Sequence, residues 1–243
     1  QPQARRDRAS HKVGAVVMST SDSALRAAAI IDADHPDVVQ FSRNALSALP
    51  ATASPRERAV HLYYAVRDGF LYDPYTVDLS DEGMRASSVL KTGRGWCINK
   101  AALLAATCRA AGIPARVGFA DVRNHLSTQR MREVMQTDVF YWHGYTAIQI
   151  EGQWLKATPA FNLSLCERFG LQPLEFDGRE DSIYHPFDLS GNRHMEYLAF
   201  RGEFDDVPMT QLRADFARLY PRWSGLDQAD FAADIEHERP STS

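Results

Sequence analysis

Cysteine is scarce in this chain: Cys97, Cys108 and Cys166 are the only three among 243 residues. An odd and sparse set argues against a disulfide framework and fits a reducing compartment. Long apolar runs are missing as well. Nothing approaches the ~18 residues of a membrane span, and the charged first residues lead into no apolar stretch of signal-peptide character. A cytoplasmic location away from membranes is therefore expected. Charge of one sign is not in excess, because 27 Lys and Arg stand against 31 Asp and Glu for a net charge of -4, which makes no case for nucleic acid as a partner. The Cys-x-x-Cys and His-x-x-x-His spacings that signal metal sites are absent. Neither a metal nor a cofactor is expected. Internal repeats and low-complexity segments are lacking too.

What is present is an ordinary globular balance, 44% hydrophobic and 24% charged, on a chain long enough to bury a sizeable core. Residues 1–17, with Arg5, Arg6, Arg8 and Lys12, have little periodicity and are expected to be a tail outside the fold. One domain is expected over residues 18–243, its core at about 54–204, with helical extensions on both sides.

Residues 23–49 carry apolar positions at helical spacing and predict one or two helices. The next helix is better marked. Ser54 can cap it, Pro55 suits its first turn, Glu57 completes a capping box and Gly69 can end it. Residues 70–92 read as a long connection into Gly93. A helix then runs from Cys97 to about Ala111, with Ile98, Ala101, Ala102, Ala105 and Cys108 making a small-residue face for close packing. Gly112 and Pro114 separate it from the alternating strand 115–122. Residues 123–138 predict a loop or short helix, and a substrate-covering role for 123–140. Phe140 to Ile150 and Gln153 to Thr158 predict a hairpin turning at Glu151-Gly152. Further strand is expected at 184–188 and 195–204, and surface helices at 209–220 and 226–237.

The chemistry centres on Gly95-Trp96-Cys97, where a glycine-bracketed loop becomes a helix. Unpaired N–H groups and the partial positive charge of a first helical turn favour thiolate, so Cys97 is expected to be an acidic, nucleophilic thiol. Such a nucleophile needs a base, and the base needs an orienting partner. Among eight histidines, His143 is the strongest candidate, since it lies on a strand beside Gly144. Pairing of Ile150 with Gln153, extended along the hairpin, puts His143, Tyr145, Thr158 and Ala160 on one face, within reach for Thr158 to orient the imidazole. Cys97's own N–H is a natural oxyanion donor, with a second expected from the preceding loop. Trp96 could wall an acyl pocket. Cys108 and Cys166 read as packing, and Arg94, Arg116 and Arg123 as ion-pair partners, with His125 beside them, rather than as a site for an acidic group.

The ordered set of Gly-Trp-Cys at 95–97, Ala-Gly-Ile-Pro-Ala-Arg at 111–116, the strand histidine, and Gly-Gln-Trp at 152–154 followed by Pro159 resembles the transglutaminase-like superfamily over about residues 54–162. The resemblance implies an α+β fold with a papain-like core, in which a nucleophile-bearing helix packs on an antiparallel sheet. It implies Cys97 as nucleophile, His143 as general base and acid, and cysteine-dependent acyl transfer through a thioester. A peptide or small-molecule acyl donor, and an amine acceptor if the thioester is not hydrolysed, are the partners it implies. The chain departs from the family at the third position, where an aspartate usually precedes the proline and Thr158 stands here. Asn162 is the nearest other candidate orienter. The departure leaves open a non-catalytic binding module on the same fold.

Overall fold

The computed structural model describes residues 20–124, 127–183, 191 and 194–238. Its elements follow in chain order: α1 (Thr20–Ser23), α2 (Pro36–Leu46), α3 (Pro55–Gly69), β1 (Leu71–Tyr72), α4 (Asp81–Met84), α5 (Ala86–Thr92), β2 (Arg94–Gly95), α6 (Cys97–Ala110) and β3 (Ala115–Asn124). After them come α7 (Gln129–Met135), β4 (Val139–Ile150), β5 (Gln153–Ala157), α8 (Leu163–Phe169), β6 (Met195–Phe204), α9 (Met209–Leu219) and α10 (Phe231–Glu238). The strand expected at 184–188 lies outside the described residues.

The organising element is α6. Expected to bury one small-residue face, it is buried at every position from Cys97 to Arg109. A helix apolar nearly all round has to be central, and this one is packed between the sheet strands β3 and β4 on one side and α2, α3 and α5 on the other. Its polar residues are accordingly committed. Lys100 donates from Nζ to the carbonyls of Arg67, Phe70 and Ala160 at 2.9, 2.7 and 2.9 Å. Arg109 donates to the carbonyls of Ala115, Arg26 and Asp205 at 2.9, 2.7 and 2.7 Å. Both cations tie backbone from distant parts of the chain to the central helix.

The sheet is antiparallel in the order β5-β4-β3-β6. The hairpin register is the expected one, Ile150 opposite Gln153, and Glu151 and Gly152 turn it with φ of 50° and 82°. Positive φ at both central turn residues suits the right-handed twist of the flanking strands. The ladder stops at Thr146 opposite Ala157, however. Thr158 donates its N–H to the Ser182 carbonyl at 3.0 Å, so the expected extension of pairing to Thr158 and Ala160 is not made.

Of the one or two helices expected over 23–49, α2 forms, and the end of α1 reaches Ser23. Between them the N–H groups of Ile30 and Ile31 go to the Asp206 carboxylate, which holds that stretch irregular. The α3 start is the expected capping box, with Ser54 N–H donating to Glu57 Oε2 at 2.7 Å and Glu57 N–H to Ser54 Oγ at 3.2 Å. Within 70–92, β1, α4 and α5 replace the expected plain connection. They are short elements whose few residues carry no readable period.

Candidate active site

The approach to Cys97 is built by β1 and β2, which pair in parallel, Leu71 with Arg94 and Tyr72 with Gly95. Trp96 then takes an extended conformation, and its N–H donates to Asn99 Oδ1 at 2.8 Å. That bond turns the chain into α6 at Cys97. Gly95 is required there, because a Cβ on it would sit 2.6 Å from Asn99 Oδ1.

Strand β4 crosses directly over the helix start. A Cβ on Gly144 would lie 2.9 Å from Ile98 Cα and 3.1 Å from the Cys97 carbonyl oxygen, both backbone. Gly144 is therefore a point of close approach between sheet and helix, and it brings its neighbour His143 to the Cys97 end of α6. Gly144→Ala has no flexible atom to displace. We expect it to cost about 1–3 kcal/mol of stability and to slow Cys97 alkylation, read by thermal melting and iodoacetamide kinetics.

A bulge sets how His143 is presented. Tyr141 and Trp142 together oppose the single residue Asp121, and Trp142 sits at φ 63°. For a bulky residue this is a strained conformation costing of order 1–3 kcal/mol, and the extra residue shifts the alternation of everything after it. Surrounding contacts hold it. Trp142 donates its N–H to Asp121 at 3.2 Å and its indole N–H to Asp215 at 2.9 Å, and Arg201 bridges both carboxylates at 2.6 and 3.0 Å while lying 4.8 Å above the indole. Tyr141 N–H donates to the Tyr220 hydroxyl at 2.6 Å.

Cys97 and His143 are both buried, 6% and 4% exposed. Backbone N–H groups of Gly144, Ile98 and Cys97 itself favour the thiolate, but burial outweighs them and pushes the Cys97 thiol up to about 11. The expected acidic thiol is thus corrected: a helix start stabilises an anion less than the loss of water destabilises it here. Burial, with the nearby His194, pulls His143 down to about 4. The resting pair is a thiol and a neutral imidazole.

Three buried side-chain atoms near this pair have no hydrogen-bond partner among the described residues, Trp96 Nε1, His143 Nε2 and Thr158 Oγ1. Thr158 and His143 are brought into one neighbourhood by Tyr197, whose ring is 6.3 Å from that of His143 and whose phenol is influenced by Thr158. They make no hydrogen bond to each other. Asn162 is committed elsewhere, accepting from Tyr72 N–H at 2.9 Å and donating to Ser164 at 2.8 Å. Cys108 and Cys166 are buried and raised to about 12 and about 11. Arg94, Arg116 and Arg123 pair with Asp73, Asp205 and Asp138 at 3.0, 2.8 and 3.1 Å. His125 lies outside the described residues.

Two groups went unread in the sequence. Tyr197 comes from β6, and Tyr72 from β1 lies close enough to Cys97 for the sulfur's charge to help raise its phenol above the usual range. Neither belongs to a periodic pattern that points at Cys97. No group of three or more His, Cys, Asp or Glu among the described residues could hold a metal ion, and no helix there is long and apolar enough to cross a membrane.

The structure sets a helix-start cysteine under the strand that carries His143, on an α+β core with an antiparallel sheet. Residues 45–159 match the model of the transglutaminase-like superfamily. Among solved structures, the chain is similar to one described as a "Putative Cysteine Protease" from Cytophaga hutchinsonii, with 14% identity and a TM-score of 0.44 over 78% of this chain and 56% of that one. It is also similar to a "Putative Protease" from Parabacteroides distasonis ATCC 8503, with 13% identity and a TM-score of 0.34 over 55% of this chain and 29% of that one. The chain therefore spans little more than half of the first and under a third of the second. No curated protein sequence matches it significantly.

Proposed function

We propose that the protein is a cysteine-dependent acyl-transfer enzyme acting on an amide or ester carbonyl. The observation that carries this reading is the seating of Cys97 at the start of the buried α6, under the backbone N–H of Gly144, the residue that follows His143. With thiol and imidazole both neutral at rest, His143 takes the thiol proton as sulfur attacks the acyl carbon. The resulting oxyanion is met by Cys97 N–H and, as second donor, by Trp96 Nε1–H. Collapse breaks the bond to the amine or alcohol, which leaves with the proton from His143, and a thioester remains. Water or an amine then attacks, His143 removes its proton, and the sulfur departs and is reprotonated. Thr158 is the proposed orienter of His143, its hydroxyl closing on the imidazole as the imidazolium forms. A neutral hydroxyl stabilises that cation less than a carboxylate does, which suits a pair that is uncharged at rest.

Intact-mass spectrometry after exposure to 4-nitrophenyl acetate tests the reading. A gain of one acetyl group, absent from Cys97→Ala, is expected. A Cys97 thiol of ordinary pKa, alkylated at a rate indifferent to His143, would instead indicate a binding module on the same fold.

A further inference from the structure

Between β1, the start of β4 and α10 lies a small aromatic cavity that the reaction steps above do not use. Tyr72 and Phe140 line it from the sheet side, Phe161 and His194 from the chain beyond the hairpin, and Phe231 from α10. Two of these walls lie next to the pair in the fold. Tyr72 is opposite Gly95, two residues before Cys97, and Phe140 is three residues before His143 on β4, while His194 is stacked on Phe161 at 5.9 Å and 25°. The space left open is about 20 Å³. That is roughly one water's worth, whereas a benzene ring occupies a cavity of order 150 Å³.

What fills the cavity is the chain's own benzyl group. The Phe231 ring packs against those of Tyr75, Tyr72 and Phe169 at 5.2, 5.9 and 6.4 Å. The helix that carries it buries Phe231 and Ile235 and makes polar contacts to α7 and Tyr75. Asp234 accepts from the Tyr75 hydroxyl and from Arg130 Nε, both at 2.7 Å. Glu238 accepts from the Gln129 N–H at 2.7 Å and faces Arg132 at 3.8 Å. Arg130 and Arg132 are about half exposed. The Arg130 and Arg132 pairs are worth about 0–1 kcal/mol each and weaken with salt, so the helix is seated by Phe231, Ile235 and the Tyr75–Asp234 hydrogen bond, and its ion pairs latch it only lightly.

We propose that this cavity is the acyl-group pocket, selective for an apolar aromatic acyl chain, and that α10 occupies it with Phe231 as a displaceable plug. The proposal rests on the acyl-transfer reading of Cys97 and deepens it. Among the described residues no Asp, Glu, Lys or Arg lines the cavity, so a charged acyl chain would be desolvated there without a partner. The plug itself indicates the occupant's chemistry, a phenyl ring on a short arm. Residues 127–135, which form the latch with α10, cover the same cavity through Ser127 and Met131, in keeping with the covering role expected for 123–140.

The test compares acylation of Cys97 by 4-nitrophenyl phenylacetate and by 4-nitrophenyl acetate in the full chain. Loosening the latch by Asp234→Asn, which leaves the cavity wall intact, is expected to raise kcat/KM for the phenylacetyl ester about tenfold, since binding waits less on a minor open state, and to leave the acetyl ester within about twofold. Removing the plug by Phe231→Ala should raise the ratio of phenylacetyl to acetyl rates in the same direction, as should raised salt on the unaltered protein. Equal changes for both esters, or no change in either variant while Cys97 is still acylated, would overturn the plug and pocket alone. Absence of Cys97 acylation by either ester in every variant would overturn the acyl-transfer reading together with the pocket. Circular dichroism melts identify a variant that has lost its fold, and the salt dependence of the unaltered protein then decides the question.

Discussion

His143→Gln is expected to lower the rate of Cys97 acylation by about 10²–10⁴, the usual worth of a positioned general base, and to change the shape of the pH profile. With His143 near 4 and Cys97 near 11, the unaltered protein holds a neutral base and a protonated thiol across the whole neutral range. Alkylation of Cys97 should therefore be nearly level from about pH 5 to 9, falling off only as His143 is protonated. In the glutamine variant the base is gone, and the rate should climb tenfold per pH unit with the thiolate fraction. A profile of the variant that matches the parent would remove His143 from the chemistry. The same group also sets a stability window. His143 is neutral in the fold down to about 4, whereas in the unfolded chain it protonates near 6.5. As pH falls from 6.5 to 4, the unfolded state binds the proton that the folded state refuses, so stability drops by up to about 3 kcal/mol. Urea melts at pH 7 and pH 4.5 should show a smaller loss for His143→Gln.

Lys100→Met is expected to cost about 3–5 kcal/mol of stability, the range seen when one partner of a buried charged contact is removed. For a chain of this size that corresponds to a melting temperature lower by roughly 6–20 °C. Burial pulls the Lys100 pKa down to about 7, but only an ammonium has three N–H donors, and three carbonyls from three places accept them. Methionine matches the length of the side chain and none of the bonds, so the carbonyls of Arg67, Phe70 and Ala160 stay buried without donors at about 1–3 kcal/mol each, offset in part because a charge is no longer taken out of water. Ala160 lies two residues beyond Thr158, so loosened site geometry should accompany the lost stability. Calorimetry checks the first effect and Cys97 alkylation the second. A melting temperature within about 3 °C of the parent would show that the three carbonyls find other donors.

Much of this arrangement was legible from local signals. Ser54, Pro55, Glu57 and Gly69 mark α3 because capping is a matter of a few adjacent residues. The hairpin register followed from Glu151-Gly152 because a two-residue turn sets the pairing of its strands. Gly144 beside His143 was visible, but its meaning was not. It is needed for the close approach of the Ile98 backbone. The bulge at Trp142 had no signal at all, since its positive φ is imposed by Asp121, Asp215, Arg201 and Tyr220, partners up to 79 residues away. The Cys97 thiol was misjudged for a related reason. The helix start is written in sequence next to the cysteine, while the burial that outweighs it is supplied by β4 and other distant segments.

The raised thiol bears on how Cys97 withstands oxidants. At pH 7 a group titrating near 11 is ionised in only about one molecule in ten thousand, and it is the thiolate that peroxide and disulfides attack. A helix-start cysteine kept wet would lose itself to sulfenic acid whenever oxidant rose. Held under Gly144 and away from water, Cys97 is expected to react with peroxide far more slowly than exposed thiols do.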